Sequence, residues 1–282
     1  MPVSQEGAQR ASRQRSTRSL RFLALTMLAA TLAVGGLAAH PSVAAAAGKK
    51  VVIVVGPAGS NTSDYIYNAR KLAAQARSYG ATVYEIYTPH ATWARVKAYA
   101  QGANILIYLG HGNGYPSPYG AFSKYSKDGM GLNTTDGSSS HTYYGEYYIA
   151  QAIRLAPNAV VILNRLCYAS GDSEWGAGNP TKSVAIARAD NYAAGFLRTG
   201  AKAVFAEGIN SVSFVLYGLF KTSYTFSSIF WHDPAYKGTY HFKFNSTRTP
   251  GSWAIMDPYA PSRYYKSAVG DLYLSAVTWR NS

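Results

Sequence analysis

The sequence predicts an α/β fold, a single main domain in which a parallel sheet carries helices on both faces. Three observations predict it. Residues 50–55 (KVVIVV), 104–109 (NILIYL) and 159–164 (AVVILN) are apolar, β-branched runs with little polar alternation. Strands buried on both faces read this way. Helix-like stretches separate these runs, so each strand returns to the sheet through a crossover, which is right-handed in such folds. The 48% hydrophobic content is ample for a sizeable core and argues against disorder.

The elements follow in order. The first strand, 50–55, stops at Gly56-Pro57. Thr62, Ser63 and Asp64 then offer N-caps for a helix through Ala69, Leu72, Ala73 and Ala76 to Gly80. Residues 81–87 read as the second strand, 92–100 as the second helix and 104–109 as the third strand, which runs into Gly110-His111-Gly112. A break rich in Gly, Ser, Tyr and Pro covers 113–145, a length at which loops are usually functional or mobile. Helix is expected at 146–155, a fourth strand at 159–164 leading to Arg165-Leu166-Cys167, and helix again at 182–198. A fifth strand, 201–206 (AKAVFA), precedes one long helix at 212–231. The tail, 232–282, is rich in aromatics and interrupted by Pro250 and Pro258, with no organisation that can be assigned. The expected division is an export signal at 1–47, the α/β domain at 48–210, and a C-terminal helix with an aromatic extension of the same domain at 211–282.

The first 47 residues read as a secretory signal. Five arginines, Arg10 to Arg21, precede an apolar run at 22–39, and small residues at 43–47 suit cleavage near Ala45 to Ala47. An uncleaved anchor is the alternative, but His40, Pro41 and the alanine run argue for removal. The expected location is therefore secreted or associated with the cell envelope, with no stable membrane span after cleavage. The formal charge of +14 falls to +10 when five arginines and Glu6 are removed. The remaining basic residues are scattered, without a stripe or a recognisable nucleic-acid module. Attraction to anionic cell-envelope polymers is the better electrostatic reading, and no nucleic-acid partner is expected.

The single cysteine excludes an intramolecular disulfide framework and any Cys-rich zinc or iron–sulfur site. No G-x-S-x-G, H-E-x-x-H or P-loop pattern occurs, so no metal or cofactor is expected. Chemistry in a doubly wound sheet gathers at the carboxyl ends of strands. Two of these ends carry reactive side chains, His111 after the third strand and Cys167 after the fourth. A thiol is only a few per cent thiolate at neutral pH, so a nearby imidazole is needed to take its proton. Gly112 lets a backbone N–H approach a scissile carbonyl, and with the Cys167 amide it would form an oxyanion hole. Each feature alone has a plainer reading: Cys167 as a small buried hydrophobe, His111 as a hydrogen-bonded structural residue.

The segments Ile105-Leu106-Ile107-Tyr108-Leu109-Gly110-His111-Gly112 and Val160-Val161-Ile162-Leu163-Asn164-Arg165-Leu166-Cys167 resemble the caspase-like cysteine peptidases, with gingipain- and CHAT-like members nearest. In that group one hydrophobic strand ends in His-Gly and a later one in the catalytic Cys. Residues 194–204 (AGFLRTGAKAV) are similar to a helix-to-strand passage of the same members. The resemblance covers roughly residues 50–210. It implies a caspase-like or flavodoxin-like layering, His111 as acid–base, Cys167 as nucleophile, and Gly112 with Cys167 as oxyanion donors. It departs from the pattern in having Leu166 before the cysteine and Tyr168-Ala169-Ser170 before Gly171.

The resemblance also implies a charged residue after the first strand as a specificity determinant. Asp64 stands there, able to recognise a basic side chain before the scissile bond, or to cap its helix. Asp172 and Glu174 are alternative pocket acids or ordinary loop residues. Residues 113–145 suit a substrate flap, an autoprocessing loop containing Lys124 and Lys127, or a surface insertion. The reading is a secreted cysteine endopeptidase acting on peptides or proteins. The alternative is a non-catalytic exported binding module on the same scaffold, with Tyr143, Tyr144, Tyr147 and Tyr148 as contact surface.

Overall fold

The computed structural model describes residues 48–235 and 237–282. The export signal and its cleavage site fall on residues 1–47 and lie outside the described residues.

The first strand, β1 (Lys50–Val55), leads to α1 (Thr62–Ser78), β2 (Thr82–Tyr87), α2 (Trp93–Ala100) and β3 (Ile105–Leu109). The expected caps of α1 are its first-turn residues instead. Thr62 Oγ1 accepts the Ala58 N–H at 2.9 Å, and Asp64 stands in the first turn, where a carboxylate complements the helix dipole. Thr92 does cap α2, its hydroxyl accepting from the Arg95 N–H.

The stretch read as an irregular break contains a hairpin, β4 (Met130–Asn133) and β5 (His141–Tyr144), paired antiparallel with Gly131 opposite Tyr143. Its strands are four residues each and carry Gly131, so the β-branched signal that marks the long strands is missing. Next come α3 (Glu146–Ala152), β6 (Val160–Asn164), α4 (Lys182–Leu197) and β7 (Ala203–Glu207).

The expected single helix over 212–231 is two, α5 (Ser213–Lys221) and α6 (Phe226–Trp231). Thr222 turns extended and its hydroxyl donates back to the Gly218 carbonyl, while Thr225 caps α6 by accepting from the Ser228 N–H. The backbone freed by the break is used: Phe226 N–H donates to Leu274 O, and Ala276 N–H to Tyr224 O.

The tail is ordered into β8 (Phe242–Asn245), β9 (Trp253–Met256), β10 (Lys266–Gly270) and α7 (Ala276–Arg280). These strands extend the main sheet, whose order is β2-β1-β3-β6-β7-β10-β9-β8. The sheet is therefore mostly rather than wholly parallel. Strands β2, β1, β3, β6 and β7 run together, and β10 joins β7 antiparallel, as β9 and β8 join in turn.

Side chains of β1 alternate between two hydrophobic clusters. Val51, Ile53 and Val55 belong to the cluster that holds Leu72 of α1 and Leu216 and Phe220 of α5, whereas Val52 and Val54 belong to the one that holds Val96 of α2 and Tyr192 and Phe196 of α4. Each such buried aliphatic side chain contributes about 1.5–3 kcal/mol, so the central strands are the most firmly fixed part of the molecule. Their carboxyl ends share one edge. Leu109 of β3 is in register with Asn164 of β6, and Asn164 with Glu207 of β7.

Candidate active site

His111 lies two residues beyond Leu109 and Cys167 three beyond Asn164, so neighbouring strands deliver both to one edge. The loops that carry them touch. A Cβ placed on Gly112 would come within 2.0 Å of the Cys167 carbonyl oxygen and 3.0 Å of its backbone nitrogen. No other residue fits there. The glycine is thus required by contact with the cysteine's own backbone. The Gly112 N–H has no acceptor among the described residues.

Two non-glycine residues beside the cysteine adopt positive φ, Arg165 at 60° and Tyr168 at 70°. Such residues cost about 1–3 kcal/mol each and persist where the surroundings enforce them. Here the Arg165 N–H donates to Glu207 O at 2.7 Å, and the Arg165 carbonyl accepts the Tyr65 hydroxyl at 3.0 Å. Asn164 Nδ2 ties the same turn to the carbonyls of Glu207 and Asn210. Tyr168 is buried with the Arg188 guanidinium 4.8 Å from its ring centre. The two bends flank the half-buried Cys167.

Two cavities meet at Cys167. One, of about 460 Å³, is lined by His111, Gly112, Asn113, Tyr119, Lys127, Tyr143, Cys167 and Glu174, among others. The second, of about 420 Å³, includes Asp64, Tyr65, Arg165, Cys167, Asp172, Glu174, Trp175, Arg263 and Tyr265. Cys167 and Glu174 belong to both. So His111, Gly112 and Cys167 share one cavity, and the three candidate acids Asp64, Asp172 and Glu174 share the other with Cys167. A larger groove of about 710 Å³ at β8–β9 has no His, Cys or carboxylate in its lining.

Burial raises the Cys167 thiol above its ordinary value, and the Glu174 and Asp172 charges add to this, partly offset by the Trp175 N–H. Burial lowers His111, and the neighbouring His141 lowers it further. Both shifts favour the neutral forms, so the resting pair is thiol and imidazole rather than thiolate and imidazolium. Asp172 is raised by burial, against which Arg263, Tyr265 and Arg188 act. Glu174 accepts a hydrogen bond from the Tyr119 hydroxyl, a link between the 113–145 segment and the loop after the cysteine. Beside it Trp175 is 94% exposed.

Several of these residues escaped sequence reasoning. His141 arrives on the hairpin, and Arg263 and Tyr265 come from the tail, roughly a hundred residues after the cysteine. Alternation in residues 141–144 was too short to reveal the hairpin. Lys127, considered for an autoprocessing loop, is only 2% exposed, and its ammonium donates to Asn113 Oδ1, Ser117 Oγ and Tyr119 O. It anchors the segment and offers no accessible side chain to a second molecule. Lys124 lies on the rings of Tyr125 and Tyr147.

Among the described residues no group of three or more His, Cys, Asp or Glu is placed to hold a metal ion, and no helix is long and apolar enough to cross a membrane. No family model and no curated protein matches the chain.

Proposed function

We propose that the protein is a secreted cysteine endopeptidase on a caspase-like scaffold, with helices layered on both sheet faces. One observation carries the reading: His111 and Cys167 line one cavity at adjoining strand ends, with Gly112 pressed against the cysteine backbone. In this reading the Cys167 sulfur attacks the scissile carbonyl while His111 takes the thiol proton. The oxyanion receives hydrogen bonds from the Gly112 and Cys167 amides. The imidazolium returns its proton to the departing amine as the C–N bond breaks, leaving a thioester. Water, deprotonated by His111, then attacks that carbonyl, and the C–S bond breaks to restore the thiol and release the acid.

The acid-lined cavity takes the side chain preceding the scissile bond. Asp64 and Glu174 suit a basic side chain there, while Arg263 and Tyr265 already engage Asp172. The second reading, an exported module that binds peptides or anionic envelope polymers, is favoured by the exposed Trp175 and by a thiol held in its unreactive form. Digestion of a peptide library by the full chain and by Cys167→Ala separates the two. The peptidase reading expects cleavage after Arg or Lys that vanishes in the variant. Binding without cleavage, or cleavage indifferent to the substitution, would favour the other. Secretion is checked by the N-terminal sequence of protein recovered outside the cell, expected to begin near residue 48.

A further inference from the structure

The hairpin β4–β5 places a second imidazole against His111. The rings of His111 and His141 have centroids 4.9 Å apart with planes tilted 35°, and Tyr143 meets His141 edge-on, also at 4.9 Å. A buried hydroxyl ties the hairpin to the histidine loop. Tyr108 Oη receives the Gly131 N–H at 2.8 Å and lies 2.9 Å from the Gly131 carbonyl and 3.0 Å from that of His111. A Cβ on Gly131 would lie 3.5 Å from the His111 Cβ, so the strand packs against the root of the His111 side chain.

We infer that His141 is a positioning residue for His111, one that orients its ring and opposes its protonation, and so sets the acid limit of the reaction. The inference rests on the peptidase reading for the identity of that reaction, while the coupling between the two rings stands apart from it. The groups facing His111 are few. Cys167 and Glu174 come from the β6 side, His141 and Tyr143 from β5, and Tyr119 and Lys127 from the segment between β3 and β4. Tyr119 binds Glu174, and Lys127 is held by three acceptors. His141 is therefore the titratable cation-former in ring contact with His111. A positive charge at this place opposes a proton on His111 at about 5 Å, and the base needed for attack stays available at lower pH.

The test follows His111 itself as well as the reaction. In isotopically labelled full-length protein, NMR titration of the His111 ring is compared between wild type, His141→Gln and His141→Lys. Unit charges at this separation in water-like surroundings shift an apparent pKa by roughly half a pH unit. Under the inference His111 titrates higher by about that amount in the Gln variant and does not rise in the Lys variant. The acid limb of peptide cleavage moves the same way. A His111 titration identical in both variants would overturn the inference, whether or not peptide is cleaved. If the titration moves as expected but no form of the protein cleaves peptide, the peptidase reading falls and the coupling stands.

Discussion

At the scale of the residue, the proposed reaction depends on moving one proton between two groups that both rest neutral. Glu174 is one cause, since its carboxylate raises the Cys167 thiol. Glu174→Gln should therefore enlarge the thiolate fraction, and alkylation by iodoacetamide at pH 7.5 should accelerate severalfold. Unchanged or slower alkylation would show that the glutamate does not govern the thiol. Gly112 is the other decisive residue. Gly112→Ala drives a methyl into the Cys167 carbonyl, so activity should be lost while circular dichroism at 25 °C stays native, with a stability cost of about 1–3 kcal/mol. The delivery of His111 and Cys167 to one sheet edge was legible in the sequence because consecutive parallel strands end side by side. His141 was not, since pairing of His111 with a residue thirty positions away depends on a hairpin whose strands are four residues long.

At the scale of the element, the long apolar strands and their helices were readable because fully buried strands leave an uninterrupted signal. The failures share a cause: the deciding interactions are made by other parts of the chain. The split of the expected 212–231 helix is stabilised by backbone bonds from the break to residues 274 and 276, fifty positions downstream. The tail strands alternate, as in β8 with its half-buried and exposed residues, and their aromatics gave no unique period. A prediction belongs here. Tyr108 Oη is a buried link between hairpin and histidine loop, so Tyr108→Phe should loosen both. Faster amide hydrogen exchange at Gly131 and in residues 141–144 is expected, with exchange in β1 and β6 unchanged. Uniform acceleration across the sheet would mean that the hydroxyl serves the whole core instead.

At the scale of the whole molecule, two buried carboxyls tie stability to pH. Burial raises Asp128 to about 8 and Glu207 to about 7. A carboxyl raised on folding contributes fully at pH below its unfolded value and loses that contribution as pH climbs through the folded one. Stability should therefore decline from roughly pH 4 to 8 on account of these groups. Asp128→Asn keeps a residue type that tolerates the φ of 60° found there and cannot ionise. Its melting temperature relative to wild type should rise steadily between pH 5 and pH 8. A difference independent of pH would contradict the assignment of a buried, neutral Asp128.

The central claim, a Cys167 nucleophile served by His111, is met most directly by covalent trapping. A peptidyl acyloxymethyl ketone ending in arginine is incubated with the full chain, with His111→Ala and with Cys167→Ala, and intact masses are measured. The account predicts one adduct on the wild type, localised to Cys167 and abolished in Cys167→Ala, forming at least a hundredfold more slowly in His111→Ala, within the span of general acid–base contributions. Equal rates in wild type and His111→Ala, or no adduct on a thiol that iodoacetamide readily modifies, would contradict it.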